Sequence, residues 1–93
     1  MISSQLGRSG TSIGANIREA QFAQSKSDFI SKLQIALKEA NESRYWLALL
    51  KRTGYLDAQQ YQALDELCAS LVSMLVASIK TAKESNPSAR PTP

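Results

Sequence analysis

Proline is absent from the first 86 residues of this 93-residue chain, and its three prolines are Pro87, Pro91 and Pro93. Proline breaks helices because it lacks a backbone N–H donor and its ring clashes with the preceding turn. A stretch this long without proline therefore favours long helices. Apolar residues recur at helical spacing through the same stretch, which predicts an all-α protein, an up-and-down antiparallel helical bundle.

The clearest predicted helix covers about residues 25–53. Its apolar residues follow one another at steps that combine threes and fours, as on one face of a helix: Phe22, Phe29, Leu33, Ala36, Ala40, Leu47 and Leu50. Ser25 is the predicted N-cap, with Asp28 three positions later as its capping partner. Gly54 follows a basic last turn and predicts the end of the helix, since glycine readily adopts the left-handed conformation.

A second long helix is predicted over about residues 58–83, with Asp57 as its N-cap and Gln60 in the reciprocal capping position. The short connection makes these two helices antiparallel neighbours. Between Leu67 and Ile79 the sequence has no charged residue. One neighbouring helix cannot cover an apolar face this wide, so we expect this helix to lie deep in a bundle or to contact another chain.

Residues 2–24 are harder to interpret, because Gly7, Gly10 and a third glycine are typical of a loop. The apolar residues of the segment nevertheless keep to one helical face: Ile2, Leu6, Ile13, Ile17 and Ala20. We interpret the segment as a helix in which Gly7 and Gly10 allow a neighbouring helix to approach closely. Residues 1–84 then form one helical domain, and residues 85–93 are predicted to be a disordered tail.

Histidine is absent and Cys68 is the only cysteine. These counts argue against a structural zinc site and exclude the catalytic triads that depend on histidine. A lone cysteine in an apolar helical run is typical of a reducing compartment, so we expect a cytoplasmic protein with Cys68 in its core. We expect no enzyme activity, no cofactor and no metal. No uninterrupted apolar run is long enough to predict a membrane-spanning helix, so we expect no membrane contact.

Two other kinds of chemistry have weaker support. Residues 10–14 have the glycines of a phosphate-binding loop, but they lack its lysine and follow no predicted strand. Glu39 and Glu42 share a helix face and could belong to an acid–base or metal site, but such sites need more inward-facing ligands. We expect these two carboxylates, together with Glu19, to form ion pairs with Arg18, Lys38 or Arg44.

Three stretches of the sequence resemble a known family: residues 5–20 (QLGRSGTSIGANIREA), 28–33 (DFISKL) and 36–47, which contains ALKEA and ESRYWL. Their motif residues occur in the order and at the spacing found in the four-helix-bundle proteins encoded in 23S rRNA intervening sequences. That family was formerly labelled a ribosomal protein and is similar to the accessory variability protein of diversity-generating retroelements. The resemblance extends from Gln5 to Ile79.

The resemblance implies an up-and-down four-helix bundle that assembles into a ring-like homopentamer, in a family with no known enzyme. It also implies binding of RNA or DNA, since the retroelement relatives bind nucleic acid and a reverse transcriptase through a basic surface. Family members usually have a full helix before the position of Gln5, which here is residue 5 of the chain. We therefore expect that the first helix is missing, through a misassigned start or a truncation. In a truncated product another protomer would fill its place.

A formal net charge of +3, from 11 Lys and Arg against 8 Asp and Glu, permits an anionic partner without requiring one. Five copies would carry about +15, five times +3, enough for salt-sensitive phosphate binding. The predicted nucleic-acid contacts are Arg8, Arg18, Lys26, Lys32, Lys51 and Arg52.

The predicted subunit contacts are Tyr45, Trp46, Val72, Val76 and Ile79. Tyrosine and tryptophan are enriched at subunit interfaces, although Tyr45 and Trp46 could instead stack on nucleobases. The alternative function is a structural or partner-binding scaffold, which docks another protein and has no affinity for nucleic acid.

Overall fold

The computed structural model describes residues 2–84, which form three α-helices and contain no β-strand: α1 (Ile2–Gln21), α2 (Lys26–Arg52) and α3 (Ala58–Glu84). The prediction of an all-α helical bundle is confirmed. The predicted disordered tail, residues 85–93, lies outside the described residues, as does Met1.

The connection between α1 and α2 is short, and α1 ends at Gln21, earlier than the predicted boundary at residue 24. The amide of Phe22 donates back to the carbonyl of Glu19 at 3.2 Å in a tight last turn. Ser25 then begins α2 as its N-cap: its backbone is extended, and its hydroxyl accepts a hydrogen bond from the amide of Asp28 at 3.0 Å. The two helices consequently form an antiparallel hairpin.

The connection between α2 and α3 contains the predicted stop and start signals. Gly54 has a φ of +88°, in the region that favours glycine. The amide of Tyr55 reaches back to the carbonyl of Leu50 at 2.9 Å. Asp57 and Gln60 cap α3 reciprocally: the Asp57 amide donates to the Gln60 side chain at 3.0 Å, and the Gln60 amide donates to the Asp57 carboxylate at 2.7 Å. Both predicted caps are therefore confirmed.

α2 is the central helix of the fold. α1 and α3 each pack along it, and within residues 2–84 no Cα atom of α1 lies within 8 Å of a Cα atom of α3. The buried core lies between the three helices and consists of Ile13, Ala20, Leu33, Ala36, Ala40, Leu75 and Ile79. Ala36 and Ala40 are fully buried on α2, where their small side chains allow the neighbouring helices to approach.

The glycines of α1 do not pack as predicted. A Cβ atom added at Gly7, Gly10 or Gly14 would meet no other atom within 4 Å. The prediction that Gly7 and Gly10 bring two helices close together is therefore wrong for contacts within this chain. The small polar residues that are buried are Ser9 of α1 and Ser43 of α2, each 2% exposed.

α3 is long and apolar enough, by length and composition alone, to cross a membrane. The sequence contains no uninterrupted apolar run of that length, because α3 intersperses serine and a few charges among its apolar residues. Only 11% of its most apolar window is buried. In this fold α3 lies along α2, and its Asp65 pairs with Arg44 of that helix. The absence of membrane contact stays a prediction.

Candidate functional site

A bidentate ion pair between Arg44 and Asp65 joins α2 to α3. Arg44 Nε donates to Asp65 Oδ1 at 2.8 Å, and Arg44 Nη2 donates to Asp65 Oδ2 at 3.1 Å. This hydrogen bonding is the largest cause that lowers the pKa of the Asp65 carboxyl group. Arg44 is one of three predicted partners for the carboxylates Glu19, Glu39 and Glu42. The prediction is wrong for Arg44, because its partner Asp65 lies on the next helix.

We expect the Asp65→Asn variant to lose roughly 0.2–1 kcal/mol of unfolding free energy at neutral pH, because the pair with Arg44 is partly exposed. The folded-state pKa of Asp65 is lowered. The pair therefore stabilises the fold at a pH above the unfolded-state pKa, and this stabilisation is lost as the pH falls through the folded-state pKa. Urea unfolding of both proteins should give curves that converge in acid. The control is Glu66→Gln, and a difference that persists unchanged at low pH would contradict the assignment.

Cys68 lies half-buried on α3 near this ion pair. Burial is the largest cause that raises the pKa of its thiol. A thiol that stays protonated is a poor nucleophile and a poor metal ligand. The expectation that Cys68 lies in the core is wrong, because Cys68 does not belong to the buried cluster. Within residues 2–84, no group of three or more His, Cys, Asp or Glu side chains is placed to hold a metal ion.

The basic side chains of α1 face outward. Arg8 is exposed and donates a hydrogen bond to the side chain of Gln5. Arg18 is exposed in a cleft between α1 and α2 that also contains Lys32 and acidic residues. Lys32 Nζ lies 3.2 Å from a carboxylate oxygen of Glu19. The charge of Lys32 is thus partly neutralised, which makes it the weakest of the six predicted nucleic-acid contacts.

Lys51 and Arg52 lie together in a cleft at the end of α2, where Lys51 Nζ is 5.0 Å from the ring centre of Tyr61. Lys26 is at the opposite end of the same helix, roughly 40 Å away at 1.5 Å per residue. The structure therefore brings Lys51 and Arg52 together but leaves Lys26 apart from them, so the six predicted basic residues form no single patch on one chain.

Lys26 has a basic neighbour that sequence reasoning missed. Lys83 of α3 lines the same cleft, together with Ser27, Ser31 and Gln34 of α2. The antiparallel register of α2 and α3 places Lys83 beside Lys26. Lys26 lies 18 residues before Arg44, and Lys83 lies 18 residues after Asp65, the partner of Arg44. Without the contact between Arg44 and Asp65, the sequence offers no way to fix that register.

The predicted subunit contacts divide into two groups. The rings of Tyr45 and Trp46 meet edge to face, with centres 5.0 Å apart, and Tyr45 is 59% exposed. Val76 is 48% exposed on α3. Val72 and Ile79, in contrast, pack in or against the core of their own chain. Ile79 is only 7% exposed, so it offers little surface to a partner.

An open groove runs between α1 and α3, over α2. Glu19 of α1 and Asp65 of α3 each form an ion pair with a basic residue of α2, Lys32 and Arg44 respectively. Gly10 and Met74 are each nine residues away from these carboxylates, which is half a turn at about 100° per residue. Each therefore lies on the side of its own helix opposite the carboxylate.

Comparisons with known proteins agree with this fold. The sequence profile of the 23S rRNA-intervening sequence protein family matches residues 1–77. Among solved structures, the chain is similar to a protein of unknown function from the S23 ribosomal protein family of Bacteroides thetaiotaomicron. The two are 55% identical with a TM-score of 0.84, over 86% of this chain and 74% of the other. No curated protein matches the chain.

Proposed function

Because the chain belongs to the 23S rRNA-intervening sequence protein family, we propose that it is a non-enzymatic helical protein that self-associates and binds nucleic acid. The observation that carries the proposal is the exposure of its cations. Five of the six predicted basic contacts are exposed and have no carboxylate within 4 Å among residues 2–84: Arg8, Arg18, Lys26, Lys51 and Arg52. Unpaired cations of this kind can bind phosphates and release counterions.

Self-association is needed for this function, because one chain has a formal net charge of only +3. Its basic residues lie in separate places, at the two ends of α2 and along α1. In an assembly, equivalent cations from several copies line up at regular intervals and can contact successive phosphates. A ring of five copies, as the resemblance to the family implies, would carry about +15, five times the charge of one chain.

We expect the protein to bind a 20-nucleotide RNA hairpin in low salt, with affinity that falls linearly on a log–log plot against salt concentration. The Arg8→Gln and Arg18→Gln variants should weaken binding in every sequence context. Each variant should also make the slope of log affinity against log salt concentration shallower, by about one for every phosphate that it no longer binds. Fluorescence anisotropy over a salt series measures both quantities.

The matched control is Lys32→Gln, which removes the same charge from the same side of the molecule. Its effect should be smaller, because Lys32 is already paired with Glu19. A DNA duplex of the same sequence distinguishes a preference for RNA from general phosphate binding. Absence of binding by the assembled protein, even at the lowest salt, would overturn the nucleic-acid part of the proposal.

A protein-binding scaffold is the second candidate, favoured by the aromatic pair on α2 in which Tyr45 is exposed and Trp46 is partly buried. Aromatic side chains of this kind are enriched at protein interfaces. Under this function the assembled chain would bind no RNA or DNA at any salt concentration. In both cases we propose a cytoplasmic protein that acts without a cofactor.

A further inference from the structure

We infer that the outer seam between α2 and α3 binds a rigid, double-helical nucleic acid that lies parallel to α2, an inference that rests on the proposed nucleic-acid binding. A basic cleft lies near each end of this seam. The first, the Lys26 cleft, contains Lys26 of α2 and Lys83 of α3. The second, the Lys51 cleft, contains Lys51 and Arg52 of α2 beside Tyr61 of α3.

The two clefts open on the same side of α2. Lys26 and Lys51 are 25 residues apart, which at 100° per residue is about 20° short of seven full turns. In both clefts α3 supplies the other wall, through Lys83 in one and Tyr61 in the other. A straight ligand that lies along the seam can therefore reach both clefts at once.

The distance between the clefts is close to one turn of a double helix. Lys26 and Lys51 lie on one unbroken helix and are separated by roughly 38 Å at 1.5 Å per residue. Equivalent positions on a B-form duplex recur about every 34–36 Å, and the flexible four-carbon stems of the two lysines cover the remaining few Å. Phosphates one turn apart can therefore enter both clefts together.

The charges along the seam fit such a partner. No carboxylate among residues 2–84 lines either cleft, and Asp28, two residues from Lys26, lines the cleft between α1 and α2 instead. Midway along the seam, the carboxylate of Asp65 is already paired with Arg44. The phosphates are furthest from the protein at this point, half a turn from each contact, so the seam needs no free cation there.

A rigid duplex gains more from this arrangement than a flexible strand does. Once one cleft holds a phosphate, the rigid helix keeps the next phosphate on the same face beside the other cleft. The second contact then forms at a high effective concentration and costs little further entropy. A flexible single strand loses conformational freedom when both of its contacts are fixed, so the spacing of the clefts favours the duplex.

The affinity of the full chain for duplexes of 8 and 20 base pairs is measured by fluorescence anisotropy in low salt. The shorter duplex is about 27 Å long at 3.4 Å per base pair, so it cannot reach both clefts, whereas the longer one can. We expect the longer duplex to bind at least tenfold more tightly. DNA and RNA duplexes of the same sequence are both measured, and the larger ratio shows which double helix fits the seam.

Two double variants each remove one cleft: Lys26→Gln with Lys83→Gln, and Lys51→Gln with Arg52→Gln. Either should lower the ratio of the two affinities to a few-fold, and combining them should lower it no further, because one loss already leaves a single contact. Lys38→Gln is the matched control. It removes the same charge from an exposed position of α2, about 120° around the helix from Lys26, and should keep the wild-type ratio.

A duplex of 20 base pairs with four central mismatches separates rigidity from length, since it keeps every phosphate but bends freely. It should bind about as weakly as the short duplex. The inference is overturned if the wild type binds both lengths equally, if a single strand of 20 nucleotides binds as tightly as the long duplex, or if the double variants keep the wild-type ratio. In each of these cases the chain still binds nucleic acid, so the proposed function stands. Absence of binding to every one of these probes contradicts the proposed function itself.

Discussion

The Leu75→Ala variant is expected to lose about 2–5 kcal/mol of unfolding free energy, because it removes a side chain from the centre of the core. Leu75 is 2% exposed and belongs to the buried cluster shared by the three helices. The deleted methyl groups no longer contribute the free energy gained by transfer from water into the core. A cavity also remains, because the rigid backbones of the helices cannot collapse into the space. Small domains have total stabilities of about 5–15 kcal/mol, so this one change removes a large part of the total.

Urea unfolding followed by circular dichroism measures this loss, and the neighbouring residue provides the control. Val76 is 48% exposed on the next position of α3, so Val76→Ala should cost the single chain much less. The comparison should be made at a concentration where the protein is monomeric, since self-association adds its own stability. Equal losses for the two variants would mean that α3 is rotated relative to the structure described above.

The Ala40→Leu variant is expected to lose about 1–3 kcal/mol, because it forces a larger side chain into a space that has none to spare. Ala40 is fully buried on α2 and belongs to the core cluster. Alanine and leucine differ little in helix propensity, so the loss would report packing between helices and not the stability of α2 alone. The melting temperature should fall by several degrees.

Asn41→Leu is the matched control for this change, since Asn41 is exposed at the next position of α2. It should leave the melting temperature of the single chain nearly unchanged. If Ala40→Leu were equally well tolerated, the close approach of helices around Ala40 would be wrong.

Signals that act within a few residues were predictable from the sequence. Ser25, Gly54 and Asp57 each mark a helix end through a hydrogen bond or a backbone angle that involves near neighbours. Such signals need no knowledge of the tertiary structure. The wide apolar face of α3 was likewise visible, because helical periodicity and the absence of charge are properties of the sequence itself.

Features that depend on two helices meeting were not predictable. The bond between Arg44 and Asp65 requires the register of α2 against α3, and local carboxylates such as Glu42 were equally plausible partners. Gly10 was expected to bring helices close together, yet the structure places it beside open space. Small residues occur both at close helix–helix contacts and on helix surfaces that have no neighbouring helix. Only the positions of the other helices distinguish these two cases.

The candidate nucleic-acid contacts stay a prediction. Five of the six basic residues are exposed, and Lys32 is paired with Glu19. The separation of Lys26 from Arg52 was predictable, because the predicted helix over residues 25–53 has them at its two ends. Ile79 was expected to contact another subunit, but it fills the core of its own chain. When a helix has apolar residues on two faces, its sequence does not indicate which face packs in the core of its own chain.

The central position of α2 has a consequence for the speed and order of folding. Among residues 2–84 each helix packs only on its neighbours in the sequence, and the connections between neighbours are a few residues long. Tertiary contacts therefore form between residues close together in the chain, and closing such short loops costs little entropy. The α1–α2 and α2–α3 hairpins are two overlapping folding units, and either can form first, because both need only α2 as a template. A chain built this way is expected to fold rapidly and without waiting for any contact between its ends.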